Sequence, residues 1–223
     1  VKLRRPTRQV IFDLDGVLLD TEPLYTQATA AVAARFGKTY DWSVKSECIG
    51  RGTLEAAAII IKALGLPLAP ADLVHERERI LVGLLANVPA IPGAEAFTRE
   101  LARRRVPMAI ATSTESKLYA TKATAHRGWL AIFQAVVCGD DARVARSKPA
   151  PDIFLAAARD LGAEPADCVV LEDSPFGVQA ALAAGMQVIA LPDPAMDRAR
   201  YVGADAIVTG FADLQPDAFG VPG

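Results

Sequence analysis

Two aspartates separated by one leucine, Asp13 and Asp15, directly follow the apolar run Val10-Ile11-Phe12 and precede Gly16. Like charges this close resist joint burial, so their place at the end of a buried strand calls for a neutralising partner. A divalent cation is one such partner, and Gly16 lets the chain turn sharply away. A solvated acidic turn after an edge strand is the competing reading of Asp-x-Asp-Gly taken alone. Three further polar groups stand beyond apolar runs: Thr112-Ser113 after residues 108–111, Ser147-Lys148-Pro149 in the loop beyond residues 135–138, and Glu172-Asp173 after residues 168–171. Singly, a hydroxyl or an acidic pair there is commonly a helix cap, and a lysine a surface charge. All four at one edge of one sheet leave those bland readings weak.

The set has the parts needed for phosphoryl transfer. An aspartate, Asp13, can attack phosphorus and form an aspartyl-phosphate, dividing hydrolysis into two easier steps. A carboxylate approaching an anionic phosphate needs electrostatic compensation, which Mg²⁺ on Asp13 and Asp173 and the fixed charge of Lys148 would provide. Thr112 and nearby backbone amides can donate to the transferring oxygens. Asp15 is placed to protonate the leaving alkoxide and later to deprotonate water.

The elements that must position these groups follow from periodicity. Short apolar runs at residues 10–12, 107–111, 135–138, 168–171 and 187–191, with a weaker one at 206–208, alternate with helical stretches at 94–105, 117–127, 151–161 and 175–184. Such alternation predicts an open α/β sheet with parallel strands and right-handed crossovers, whose ligands gather at the carboxyl ends of the strands. Ser174 with Pro175 reads as a helix start and Gly185 as a helix stop. From Glu22 to Asn87 the pattern is helical throughout, punctuated at Gly37, Gly50, Gly65 and Pro67. The expected organisation is a core of residues 1–19 and 91–223, split by a helical insertion over residues 20–90.

The totals narrow the partners. Across 223 residues, 52% are hydrophobic and 22% charged, a balance that buries a sizeable core, and a formal net charge of −2 argues against nucleic acid. The longest apolar candidate is interrupted by Glu55 and Lys62, and the basic start is followed only by a three-residue apolar run, so neither a membrane span nor a signal peptide is expected. Cys48, Cys138 and Cys168 form no Cys-x-x-Cys pair, which points away from zinc and disulfides and toward a cytoplasmic location. His75 and His126 read as surface or partly packed, Trp42 and Trp129 as packing anchors, and Arg103-Arg104-Arg105 as cations closing a helix.

At Asp13, Asp15, Thr112, Lys148 and Glu172-Asp173 the chain resembles the haloacid dehalogenase-like hydrolase superfamily, in the branch whose helical cap follows the first motif. The resemblance covers nearly the whole chain. It implies a Rossmann-like, three-layer core with an inserted cap, and magnesium contacts from the carboxylates of Asp13 and Asp173 and the backbone carbonyl of Asp15. It also implies that Glu172 acts through water or orients the metal shell, and that Ser113 offers its backbone N–H. Asp15 stands where dehalogenases and phosphonatases lack an aspartate, which favours phosphate monoesters. Residues 38–46, 54–61, 180–188 and 214–220 resemble the branch holding pseudouridine-5'-phosphatase, related to phosphatases of glycerol and deoxysugar phosphates.

The nearest rival by resemblance is a sugar-phosphate mutase of the β-phosphoglucomutase type. Mutases of that kind carry a hinge histidine where this chain has Tyr25, and a cap arginine where it has Thr53, with Arg51 two residues earlier. A receiver-like or non-catalytic phosphate-binding protein is a further alternative, though a receiver would carry its acceptor on a later strand and no helical insertion. A cap closing over a small phosphorylated metabolite would hinge at residues 16–22 and 88–92. Glu22, Tyr25, Arg51, Thr53, Thr114 and Glu115 are the expected specificity contacts, and the protein is expected to be a monomer or weak homodimer.

Overall fold

The computed structural model describes residues 3–49 and 51–219. The expected break at Gly50 and the end of the 214–220 stretch, Gly220, lie outside the described residues. Six parallel strands form one sheet in the order β3-β2-β1-β4-β5-β6. They are β1 (Gln9–Phe12), β2 (Met108–Ala111), β3 (Ala135–Val137), β4 (Cys168–Glu172), β5 (Gln187–Ala190) and β6 (Ala206–Ile207). Strand order reverses between β1 and β4, where Ile11 pairs with Ala109 on one side and Val170 on the other. That reversal opens a crevice at the carboxyl ends of β1 and β4, the place where open α/β sheets bind ligands.

Both faces of the sheet are covered, which is why the strands read as unbroken apolar runs. On one face Val10, Phe12, Ile110 and Leu171 pack against Phe97 and Leu101 of α5 (Ala94–Arg103) and Trp129 of α7 (Arg127–Leu130). On the other, Ile11, Ala109, Val170 and Val188 pack against Phe154 of α8 (Asp152–Asp160) and Val178 of α9 (Pro175–Ala183). The Ser174 side chain accepts from the Gly177 N–H to cap α9, and Gly185 follows at φ 78°.

Between β1 and β2 the chain first builds α1 (Glu22–Ala34), α2 (Trp42–Cys48), α3 (Thr53–Leu64) and α4 (Pro70–Leu85). These helices have their own apolar cluster, centred on Val32, Ala57, Ile60 and Leu73. The two crossings joining them to the sheet run side by side: Asp20 N–H donates to Pro89 at 2.8 Å and Ile91 N–H to Leu18 at 2.9 Å.

Two details depart from expectation, the helix over residues 117–127 and the exposure of Trp42. The helix anticipated over residues 117–127 is α6 (Ser116–Lys122), followed by a 3-10 turn and then α7. Trp129 is buried as an anchor, its indole N–H donating to Thr98, but Trp42 is 37% exposed with Lys45 Nζ 5.6 Å from its ring. His126, half-buried, lies 2.7 Å from the Val88 carbonyl and so ties the core to the second crossing. Among the described residues no helix is long and apolar enough to cross a membrane.

Candidate active site

The crevice collects the expected residues. Asp13 and Asp15 leave the end of β1, Thr112 to Thr114 the end of β2, and Glu172 and Asp173 the end of β4. The extended strands hand these residues on by backbone bonds, Asp13 N–H to Leu171 and Thr112 N–H to Val137, each at 2.9 Å. Lys148 enters from the loop after β3, in a cis peptide with Pro149. Asp13, Asp15, Glu22, Arg51, Thr53, Thr112, Ser113, Thr114, Lys148, Glu172 and Asp173 all line one cavity of about 210 Å³. Tyr25 stands outside it and lines two adjoining spaces; Glu115 lines only the larger of these.

Asp13, Glu172 and Asp173 present carboxylate oxygens that all lie within 4.8 Å of one another. Lys148 Nζ donates to Asp13 Oδ1 at 2.5 Å and also to Glu172, while its ammonium lies 5.0 Å from the Phe154 ring. One ammonium cannot offset three carboxylates. Burial, opposed by Lys148 and reinforced by Glu172 and Asp15, pushes the Asp13 carboxyl up to about 7. Burial together with Glu172 and Asp13 also holds Asp173 well above the ordinary range. Burial alone would depress the Lys148 ammonium, but Asp13 and Glu172 reverse that and raise it. An all-oxygen donor set short of positive charge fits a hard divalent cation.

Close packing fixes these carboxylates. Gly16, at φ 78°, lies against Asp173, and a Cβ there would collide with that carboxylate. A Cβ on Gly177 would likewise overlap the Glu172 carboxylate, whose Oε2 accepts the Ser174 N–H at 2.6 Å. The Tyr201 hydroxyl donates to the Asp173 carbonyl at 2.6 Å, a support that sequence spacing did not reveal.

Asp15 faces a different network. The fully buried Lys122 donates to Asp15 Oδ1 at 2.6 Å and to Thr114 Oγ1 at 2.8 Å, and the Thr114 hydroxyl donates to Asp15 Oδ2 at 2.7 Å. Burial works to raise the Asp15 carboxyl, and Lys122 with these hydrogen bonds overrides it, leaving it below the ordinary range. Thr112, also fully buried, accepts the Thr114 N–H at 3.1 Å and lies 3.4 Å from Asp15. Lys122 escaped sequence reading because its helix is short and polar and its partner is 107 residues away. The spacing of Leu118 and Lys122 by four, which puts both on one helix face, was the available signal.

The insertion supplies the opposite wall. Arg51 is bound to Glu55 at 2.5 Å, with its guanidinium 5.8 Å from the Phe176 ring of α9. Lys45 pairs with Glu22 at 3.3 Å. Arg77 of α4 is 8% exposed, and its guanidinium carbon lies 5.5 Å from the Tyr25 ring, with Lys122 Nζ 5.3 Å from the same ring. Sequence reading passed over Arg77 because His75-Glu76-Arg77-Glu78-Arg79 looks like a solvated face. Its four-residue spacing with the buried Leu73, Leu81 and Leu85 was the signal that it points inward.

Residues 7–185 match the family model of the haloacid dehalogenase-like hydrolases. The chain is 42% identical over 218 residues to (DL)-glycerol-3-phosphatase 2 of Arabidopsis thaliana, covering 96% of this chain and 91% of the relative. It is 38% identical over 224 residues to a probable pseudouridine-5'-phosphatase of Drosophila melanogaster, covering 99% and 97%. Among solved structures, CbbY from Rhodobacter sphaeroides in complex with phosphate superposes with a TM-score of 0.78 at 30% identity, covering 93% of this chain and 96% of that one.

Proposed function

The chain belongs to the haloacid dehalogenase-like hydrolases and is a phosphoric monoester hydrolase, and on that premise we propose that Asp13 is its nucleophile and that turnover runs through an aspartyl-phosphate. The observation that carries this reading is the position of Asp13. It lies at the end of β1, at the sheet's reversal point, with Lys148 bound to one oxygen and two further carboxylates alongside.

In the first half-reaction an Asp13 oxygen attacks phosphorus, the ester P–O bond breaks, and the leaving oxygen takes a proton from Asp15. In the second, Asp15 removes a proton from water, which attacks the acyl phosphate and releases inorganic phosphate and free Asp13. Lys122 favours the ionised Asp15 that the second half requires. A phosphate dianion arriving beside Asp15 raises its proton affinity and supplies the acid form for the first half. Lys148 neutralises charge on Asp13 and the transferring group, and Thr112 with the amide of Ser113 is assigned to the phosphate oxygens. Asp13 and Asp173, with the Asp15 carbonyl and Glu172 behind them, would hold Mg²⁺. When bound, the metal would offset the charge of both nucleophile and phosphate.

We assign residues 20–90 as a cap that excludes water while the phosphoenzyme forms, hinged where the paired crossings meet. Glu22, Tyr25, Arg51, Thr53 and Thr114 are its nearest candidates for touching substrate. Arg51 is already committed to Glu55 and Phe176, which counts against it as an anchor for a second phosphate and so against a mutase. Substrates are small phosphorylated metabolites, in keeping with relatives named for glycerol and pseudouridine phosphates. Three unpaired cysteines accord with a cytoplasmic setting.

The test is phosphate release from a panel of monoesters with and without Mg²⁺, using Asp13→Asn as the blank. Rapid quenching during turnover should trap one acid-stable, hydroxylamine-sensitive phosphoryl group per chain. Release that persists in the variant, or conversion of β-glucose 1-phosphate to glucose 6-phosphate in place of release, would overturn the assignment.

A further inference from the structure

Beside Asp15 and among α1, α2 and α3 lies a cavity of about 220 Å³ that adjoins the one holding Asp13 and is bounded by Glu22, Tyr25, Lys45, Arg51, Thr53 and, from α4, Arg77. Its charges are nearly all spoken for: Lys45 is paired with Glu22, Arg51 with Glu55, and Lys122 with Asp15. Arg77 is the exception. Its side chain is more than nine-tenths buried, its Nε is buried without a hydrogen-bond partner, and no carboxylate among the described residues pairs with it. A buried guanidinium left this way costs stability unless something arrives to accept its donors, since it carries five N–H donors and no acceptor.

We propose that Arg77 is a specificity-determining residue that anchors the leaving group of the substrate, and that this leaving group is a short, neutral polyol or sugar. The proposal rests on the phosphatase reading and names the class of alcohol that reading leaves open. Three observations select the class. The cavity borders Asp15, the group assigned to protonate the leaving oxygen, so its occupant is the alcohol half of the ester. At about 220 Å³ it lies below the roughly 300–1,000 Å³ of pockets that take drug-sized ligands. Its polar ends differ in kind, for Arg77 only donates whereas the Glu22 carboxylate, which already accepts from Lys45, has further acceptor capacity. A hydroxyl-bearing chain satisfies both, accepting from Arg77 and donating to Glu22. A carboxylate or second phosphate would satisfy Arg77 but bring no donor for Glu22. The Tyr25 ring, 5.5 Å from the Arg77 guanidinium carbon, adds a cation–π attraction that helps to hold the guanidinium at this cavity.

The experiment compares wild type, Arg77→Gln and Arg77→Lys on three esters: glycerol 3-phosphate, 3-phosphoglycerate and phenyl phosphate, the last having no oxygen beyond the ester. The ratio of kcat/KM for glycerol 3-phosphate to that for phenyl phosphate is read within each variant, so a partly unfolded preparation cancels. That ratio should fall at least about tenfold in Arg77→Gln, mainly through KM, with partial recovery in Arg77→Lys, as expected for a lost charge-assisted hydrogen bond. An unchanged ratio would overturn the assignment of Arg77. A fall confined to 3-phosphoglycerate would overturn the neutral polyol in favour of an anionic leaving group. If phenyl phosphate is turned over by wild type and not by Asp13→Asn, the phosphatase reading stands whichever way the Arg77 ratio falls.

Discussion

The two walls of the crevice are built on different principles. On the sheet side the charged groups are densely paired: Lys148 with Asp13 and Glu172, Lys122 with Asp15 and Thr114, and Ser174 N–H with Glu172. Only the Asp173 carboxylate of that set has no hydrogen bond or ion pair among the described residues. On the helical side polar groups are sparser, and Arg77 Nε is buried with no partner. The larger cleft beside it, about 750 Å³, presents mostly apolar surface although polar and apolar residues alternate in its wall, with Leu54 and Val82 exposed at its edge. A wall of interlocked charges tolerates little change in what it binds, whereas a wall with uncommitted donors and open volume accepts variation. Reaction type should therefore be sensitive to the sheet side, and choice of substrate to the insertion.

The largest expected effect breaks the sheet side outright. Asp13→Asn keeps the shape but removes the attacking carboxylate, and should cut turnover by roughly 10⁴-fold or more on every ester. Measurable phosphoenzyme in that variant would remove Asp13 from the reaction. Asp15→Asn should cost on the order of 10²–10⁴-fold on alkyl phosphates and much less on p-nitrophenyl phosphate, whose leaving group needs little protonation. Equal losses on both esters would deny Asp15 its acid role.

Lys122 sharpens the comparison because it belongs to the core yet touches Tyr25 of the insertion. Lys122→Met leaves Asp15 without its ammonium and raises its proton affinity, so the loss should fall on hydrolysis of the phosphoenzyme, which then accumulates to a larger fraction of the chains during turnover. A quenched phosphoenzyme fraction identical to that of wild type would make Lys122 a packing residue only. Gly177→Ala tests the interlock by volume, since the new methyl overlaps the Glu172 carboxylate. It should destabilise the fold by about 1–3 kcal/mol, read from chemical denaturation, as overpacking does. Gly52→Ala has open space around it but stands at the start of α3, where alanine caps poorly, and should cost less, about 0.5–1 kcal/mol.

The same contrast explains what was legible in sequence. Short apolar runs each followed by a chemical residue identified five sheet-edge positions, because in a doubly covered sheet the strand ends are forced to carry the polar groups. Lys122 and Arg77 were illegible for the reverse reason. Arg77 sits in a helix rich in charged neighbours and Lys122 in a short polar one, and tertiary packing decides which charge turns inward. Tyr201 was missed because its bond to Asp173 comes from beyond β5 and no local pattern marks it. The break of the expected 117–127 helix at Ala123 places Lys122 as the last residue of α6.

The smallest effect to be sought concerns the metal. In the metal-free protein Asp13 titrates at about 7 against an ordinary value of 3.8. Between those values the unfolded chain releases a proton that the folded chain retains, so this group's contribution is full below 3.8 and is lost as pH rises through about 7. The metal-free protein should therefore lose stability across that window, with Asp173 acting in the same direction. Mg²⁺ binds the ionised carboxylates and competes with the protons, so the rise in Tm that it produces should be greater at pH 8 than at pH 5. At tenfold excess over its dissociation constant the metal contributes about 1.4 kcal/mol, a Tm rise of roughly 3–6 °C for a chain of this size. Scanning calorimetry at the two pH values decides the matter. An equal rise at both would mean that the cation is held elsewhere than on Asp13 and Asp173. Arg77→Lys, altering only the helical wall, should leave the pH dependence of that rise intact.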